Sequence, residues 1–323
     1  MAKIVFGFGT SHSSQLSLSP ADWPEQAELD KKRTPWEDLL ASAPASMADE
    51  LTSEVQEERH SRAQEALRKL SEVVAAHRPD VLVIVGDDQD ELFPEDQLVP
   101  AIALALTPEL IDRPVDYSTL PPIRQKSMWA MHGEEPVSFA IDVALSEHLA
   151  TELSADGFDI AVLRTQPETR SLGHAWTFIR RRVVKDWNLR IVPIFLNTYF
   201  APNRPSPQRC VALGEAISSA ITKYPGDLRV GIVASGGLSH FVINEQLDHR
   251  VLDAFATGDT AALADEPGAQ FSSGTSEILN WITAGSALRD FSFELIDYLP
   301  AYRSLAGTGC GFAFGVWTAT ERG

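Results

Sequence analysis

Four short stretches of this chain carry groups suited to chemistry: GTSH at 9–12, GDDQ at 86–89, the end of TQPETRSLGH at His174, and SGGLSH at 235–240. Together they hold His12, His174 and His240, three of the eight histidines, with Asp87, Asp88 and Gln89. A single histidine after a strand is more often a satisfied hydrogen-bonding residue than a ligand. Three in the same setting, two of them in Gly/Ser loops that leave the imidazole room, point to an edge where an ion or substrate binds. Glu277, in SSGTSEILNWITAG, could add a carboxylate. It lies in the first turn of a helix that Ser273 or Thr275 could cap, where the helix dipole is the ordinary explanation for an acid. His60, His77, His148 and His249 read as solvated helix-face residues, and His132, in MWAMHGEE, could border the pocket.

The elements that must position these groups alternate. Strand-like runs fall at 3–8, 81–85, 98–104, 159–163, 190–195, 229–234 and 312–317, and helical patterns at 54–77, 137–155, 207–222, 245–256 and 274–285. Such alternation implies crossover connections and an α/β fold: a single three-layer domain over 1–323, with a mostly parallel or mixed central sheet flanked by helices. The VLVIV run at 81–85 has the length and composition of a strand buried on both faces. Two regions break the rhythm. Residues 13–53, rich in Ser, Pro and acids and holding Trp23 and Trp36, read as an ordered lid inserted after the first strand, and a second Pro-rich excursion spans 105–136. GFGTSH at 7–12 shows two glycines after a strand but neither the third glycine nor the helix a dinucleotide loop requires.

Net charge is -18 and the isoelectric point about 4.8, which argues against binding nucleic acid or anionic membranes. No window approaches the roughly 18 uninterrupted apolar residues of a membrane span, and the N-terminus lacks a secretory pattern. Cys210 and Cys310 form no CxxC, so a reducing cytoplasm is the expected compartment.

In order along the chain, GTSH, GDDQ, GH, GGLSH and SEILNW resemble the class III extradiol ring-cleavage dioxygenases, the superfamily of the protocatechuate 4,5-dioxygenase catalytic subunit. The resemblance covers nearly the whole chain. Its lid and its terminal AYRSLAGTGCGFAFGVW are most similar to the single-chain branch associated with 3-O-methylgallate and gallate cleavage. It implies a homodimer that inserts O2 next to the diol of a carboxylated catechol, at a non-haem Fe(II) held by two histidines and a glutamate. Such a facial set leaves positions free for a diol and dioxygen. On this resemblance His12 and Glu277 are metal ligands, His240 is the acid–base histidine, and His174 hydrogen-bonds substrate or oxygen.

The second histidine ligand is missing: its place, four residues before Phe93, holds Gln89. Three readings stay open. Gln89 coordinates through its carbonyl oxygen; or Asp87, Asp88 or Asp90 takes its place; or the site has lost its metal, leaving a relative that binds a small molecule or peptide. Metal-assisted hydrolysis, with His240 activating a water, is a further possibility on the same scaffold. The AYRSLAGTG loop, with Tyr302, Arg303 and Thr308, is a candidate to bind the substrate's carboxylate, and Arg164 and Arg170 are alternative cations.

Overall fold

The computed structural model describes residues 1–186 and 188–319. Among these, β1 (Lys3–Thr10), β2 (Val81–Gly86), β3 (Ile102–Ala105), β4 (Glu109–Asp112), β5 (Val137–Ala140), β6 (Ala161–Leu163), β7 (Arg190–Leu196), β8 (Arg229–Ser235), β9 (Phe291–Tyr302) and β10 (Gly309–Ala319) are the strands. Eight of them form one mixed sheet in the order β6-β3-β7-β2-β8-β1-β10-β9, and β4 pairs with β5 as a separate hairpin. The central run β7-β2-β8-β1 is parallel, while β10 and β9 close one side antiparallel.

Period-two alternation fills both faces of this sheet. Val81, Val83 and Val85 point into one apolar layer, with Leu145, Leu149 and Ile217 from the helices Val143–Ala155 and Pro207–Lys223. Leu82 and Ile84 point into the other, with Leu67 and Leu70 of the long helix Ser53–His77. Burying each such aliphatic side chain contributes about 1.5–3 kcal/mol. The long helix begins where Thr52 Oγ1 accepts a hydrogen bond from the Val55 N–H, and ends at Arg78 in the left-handed conformation, φ 44°.

The active edge depends on a close helix–sheet approach. A Cβ on Gly9 would lie 2.4 Å from the Trp281 ring, so glycine lets the helix Ile278–Ala287 settle directly on β1. Trp281 Nε1 donates to the Gly236 carbonyl at 2.8 Å and locks that approach. Glu277, one residue before the helix, is thereby held over the carboxyl ends of β1 and β8. The glycines of GFGTSH therefore lie inside the strand and serve packing.

Other expectations change. Residues 137–140, expected to begin a helix, form β5, and the helix starts only at Val143. The expected strand at 98–104 is confined to Ile102–Ala105. β9, twelve residues long, was not expected: FSFELIDYLPAY sits at the sheet edge with one side open to solvent, so its apolar signal is diluted. The 13–53 segment folds into short helical turns, with Trp23 fully buried against Phe312. No helix among the described residues is long and apolar enough to cross a membrane.

Candidate active site

His12 follows the end of β1 and is buried. Ser235, at the end of β8, donates its hydroxyl hydrogen to the Ala175 carbonyl at 2.6 Å, so its oxygen can only accept from His12 Nδ1–H at 2.9 Å. That puts a proton on Nδ1 and leaves Nε2 to carry the lone pair of the neutral ring or the second proton of the charged one. Nε2 has no hydrogen-bond partner and faces Glu277 Oε2 at 3.2 Å. A neutral imidazole so placed is an acceptor facing an acceptor, and the pair repels unless a proton or a metal cation lies between them.

Glu277 is fixed from several sides. Its Oε2 accepts the Gly237 N–H at 2.7 Å, and its Oε1 lies 3.2 Å from His240 Nε2. Burial opposes its ionisation, but the His240 and His12 charges hold its carboxyl well below the usual range. Asp87, just past β2, completes a group of ligand atoms from His12, Asp87 and Glu277 that lie within 4.8 Å of one another. Burial, then the Glu277 charge, push the Asp87 carboxyl above its usual range. Asn280, on the same helix as Trp281, holds Asp87 by donating to Oδ1 at 3.0 Å. The i, i+3 spacing from Glu277 to Asn280 is the sequence signal that could have marked it.

Gln89 lies in the same cleft. Its amide N–H groups bridge the two acids, to Asp87 Oδ2 at 2.9 Å and Glu277 Oε1 at 3.1 Å. In this arrangement Gln89 spans the carboxylates as a donor. Asp88 and Asp90, the other acids considered for the position, are turned away from it. Asp88 spends both oxygens on the Leu92 and Phe93 N–H groups, each at 2.9 Å, and Asp90 accepts the exposed Glu95 N–H.

Both remaining histidines have one ring nitrogen pinned. His240 Nδ1–H donates to the Leu238 carbonyl at 2.7 Å, leaving Nε2 toward the cleft. Burial opposes its protonation, but Glu277 and Cys310 raise it well above the ordinary histidine value. The loop before Glu277 comes very close here: a Cβ on Gly274 would lie 2.1 Å from the His240 ring. His174 Nδ1–H donates to the Glu91 carboxylate at 2.9 Å, and its ring meets His12 edge-on. Burial opposes, but Glu91 more than compensates, raising the His174 pKa to about 9. His132 does border this network: it donates from Nδ1 to Asp112 at 2.6 Å and has Nε2 3.7 Å from Glu91. Glu91 gave no distinct signal in the sequence, being one acid among several in DDQDE.

His12, Gln89, Glu91, His174, His240 and Glu277 line a cleft of about 190 Å3, closed in part by Ser13 and Ser14 of the 13–53 segment. The structure does not bring the AYRSLAGTG side chains into it. Arg303 donates twice to Asp30, at 2.7 and 2.8 Å, and once to Gln15 at 2.7 Å, so its fork is fully used in tying the 13–53 segment down. Tyr302 donates to Glu245 at 2.7 Å, and Thr308 exchanges a hydrogen bond with Ser304 in the turn between β9 and β10. Arg170 donates to the Asp90 carbonyl, and Arg164 is exposed. The cation at the cleft is Arg124, from the Pro-rich excursion, which sequence reasoning passed over.

Comparison with known proteins places this geometry. Over 106 residues the chain is 38% identical to a gallate dioxygenase of Pseudomonas putida, a match covering 32% of this chain and 30% of that protein. Over 237 residues it is 26% identical to a 2,3-dihydroxyphenylpropionate/2,3-dihydroxicinnamic acid 1,2-dioxygenase of Comamonas testosteroni, covering 72% of this chain and 54% of that protein. The matches thus span about a third to a half of the relatives' own lengths. The model of the family described as the catalytic LigB subunit of aromatic ring-opening dioxygenase matches residues 40–313, most of the chain, and the protein belongs to that family.

Proposed function

We propose that the protein is an extradiol ring-cleaving dioxygenase acting on a carboxylated catechol of the gallate, methylgallate or protocatechuate kind. The single observation that carries this reading is the buried Nε2 of His12, facing Glu277 at 3.2 Å beside Asp87, with His174 and His240 lining the same cleft. Those atoms fit a divalent cation. His12, Asp87 and Glu277 would hold it as one imidazole and two carboxylates, a set suited to Fe(II). Gln89 steadies the two acids, and rotating its amide would offer a carbonyl oxygen as a fourth ligand. When bound, the metal supplies Lewis acidity toward the diol oxygens and a place for O2 beside them. Both atoms of O2 enter the product as the ring C–C bond next to the diol breaks, with no external reductant.

The chain's own residues do the rest. His240, its Nδ1–H committed to Leu238, offers Nε2 to take a proton from a substrate hydroxyl and return it later. His174, kept protonated by Glu91, directs its free Nε2–H at negative charge developing on oxygen. The 13–53 segment acts as the cleft's lid within a single domain over 1–323. Homodimeric assembly, on the strength of the family resemblance, and a reducing cytoplasm, on the strength of the two free cysteines, complete the reading. Purified protein loaded with Fe(II) under anoxic conditions should consume oxygen with members of a catechol panel; consumption with none of them would sink the reading.

One observation favours a second reading. The Gln89 N–H groups satisfy both acids without a cation, as a metal-poor relative that only binds ligands would require. Metal content after anoxic reconstitution separates the two: one equivalent per chain for the dioxygenase, none for the binder.

A further inference from the structure

The cleft has an end that the metal chemistry does not use. Arg124, on the short helix Pro122–Gln125, lines both the cleft and a smaller adjoining pocket of about 40 Å3 behind His240 and Phe241. Arg33, from the 13–53 segment, lines that smaller pocket too, with its guanidinium carbon 4.9 Å from the centre of the Phe241 ring. Arg303 stands on the other side, neutralised by Asp30. Among the described residues, neither Arg124 nor Arg33 has a hydrogen bond or ion pair from its guanidinium. Burial, and then the Arg33 charge, lower the Arg124 pKa.

Two arginines at one pocket, neither paired with a carboxylate among the described residues, stand out in a chain of net charge -18 with acids to spare for pairing. A structural role would have paired them, as Arg303 is paired. Their opening toward the cleft makes a site for an anionic group on whatever the cleft holds, and a planar guanidinium suits a planar carboxylate.

We propose that Arg124, seconded by Arg33, receives the carboxylate of an aromatic acid and so turns the opposite edge of its ring, bearing the diol, toward His12, Asp87 and Glu277. This rests on the diol-binding reading above and adds to it a specificity-determining pair. A neutral catechol would enter the same cleft but lack the anchor.

The test is anoxic calorimetry on the full chain, metal-loaded and metal-free, with gallate and with pyrogallol, the same ring without the carboxylate. A charge-assisted pair sets the expected preference for gallate at about 10- to 100-fold. Arg124→Gln should bring the gallate-to-pyrogallol affinity ratio toward one, Arg124→Lys should keep part of it, and Arg33→Gln should lower it less. Because Arg33 is exposed, Arg33→Gln supplies the same readout if Arg124→Gln fails to accumulate. No preference in the wild type, or a preference unchanged in both glutamine variants, overturns the proposal. The two readings fail separately. A ratio lost in Arg124→Gln without oxygen uptake on any diol keeps the anchor and removes the dioxygenase. Oxygen uptake with no preference for the acid does the reverse.

Discussion

The two ends of the cleft are built on opposite principles. At the acidic end every group is held by a second partner: His12 by Ser235, Asp87 by Asn280, Glu277 by the Gly237 N–H, His240 by Leu238 and His174 by Glu91. At the basic end, among the described residues, neither Arg124 nor Arg33 has a hydrogen bond or ion pair from its guanidinium, and Arg33 lies over the Phe241 ring. Preorganisation of this kind is what chemistry at a metal requires, because misplacement there costs rate, whereas an anchor for a carboxylate needs charge more than orientation. The difference teaches that rigidity is concentrated where bonds would break, and free charge where substrate would be chosen.

Substitutions should divide along the same line. The largest effect is expected from His12→Ala, which removes the imidazole proposed to hold the metal: Fe(II) affinity should fall more than about 100-fold, and oxygen uptake with it. Metal retained at full occupancy in that variant would break the comparison at its acidic end. His240→Phe comes next. It should keep the metal but lower kcat by about 10²- to 10⁴-fold, as measured by oxygen electrode, since only the proton-transfer group is lost. The substitutions at Arg124 act on affinity for acids and leave metal stoichiometry at one, which sharpens the contrast.

The smallest effect concerns pH. His174 has a folded-state pKa of about 9, raised by Glu91 above its ordinary 6.5. The stability it contributes is therefore fully present below pH 6.5 and lost as pH rises through about 9. Urea unfolding of the metal-free protein should show a decline across that window on the order of 2–3 kcal/mol. Glu91→Gln should be less stable near neutrality and flatten the decline. A wild-type curve already flat between those limits would show that the Glu91 pairing does not hold His174.

Much of this was legible in the sequence, for physical reasons. The β2 run VLVIV needed both faces buried and so could be nothing but an interior strand; the loops after β1, β2 and β8 then had to share an edge. His12 and His240 followed from that, whereas Glu277, which alone reads equally well as a helix-dipole acid, took its role from the family resemblance. β9 was hidden because an edge strand alternates with solvent, and β4 and β5 because four residues carry too little pattern. The side chains of the AYRSLAGTG loop fall outside the cleft for a different reason. Arg303 sits in a Gly/Ser loop that looks suited to binding, but whether a guanidinium is free depends on Asp30 and Gln15, 273 and 288 residues away in sequence. Arg124 becomes visible only once the path of the 105–136 excursion is known.

One metal ion held by His12, Asp87 and Glu277, with Gln89 steadying the acids around it, underlies the proposed chemistry. Anoxic Fe(II) titration of the wild type, Asp87→Asn and Gln89→Ala tests this arrangement. The wild type should bind one equivalent per chain, Asp87→Asn should lose it, and Gln89→Ala should retain it with reduced affinity. Stoichiometric Fe(II) in Asp87→Asn together with none in Gln89→Ala would contradict it and make the glutamine the ligand.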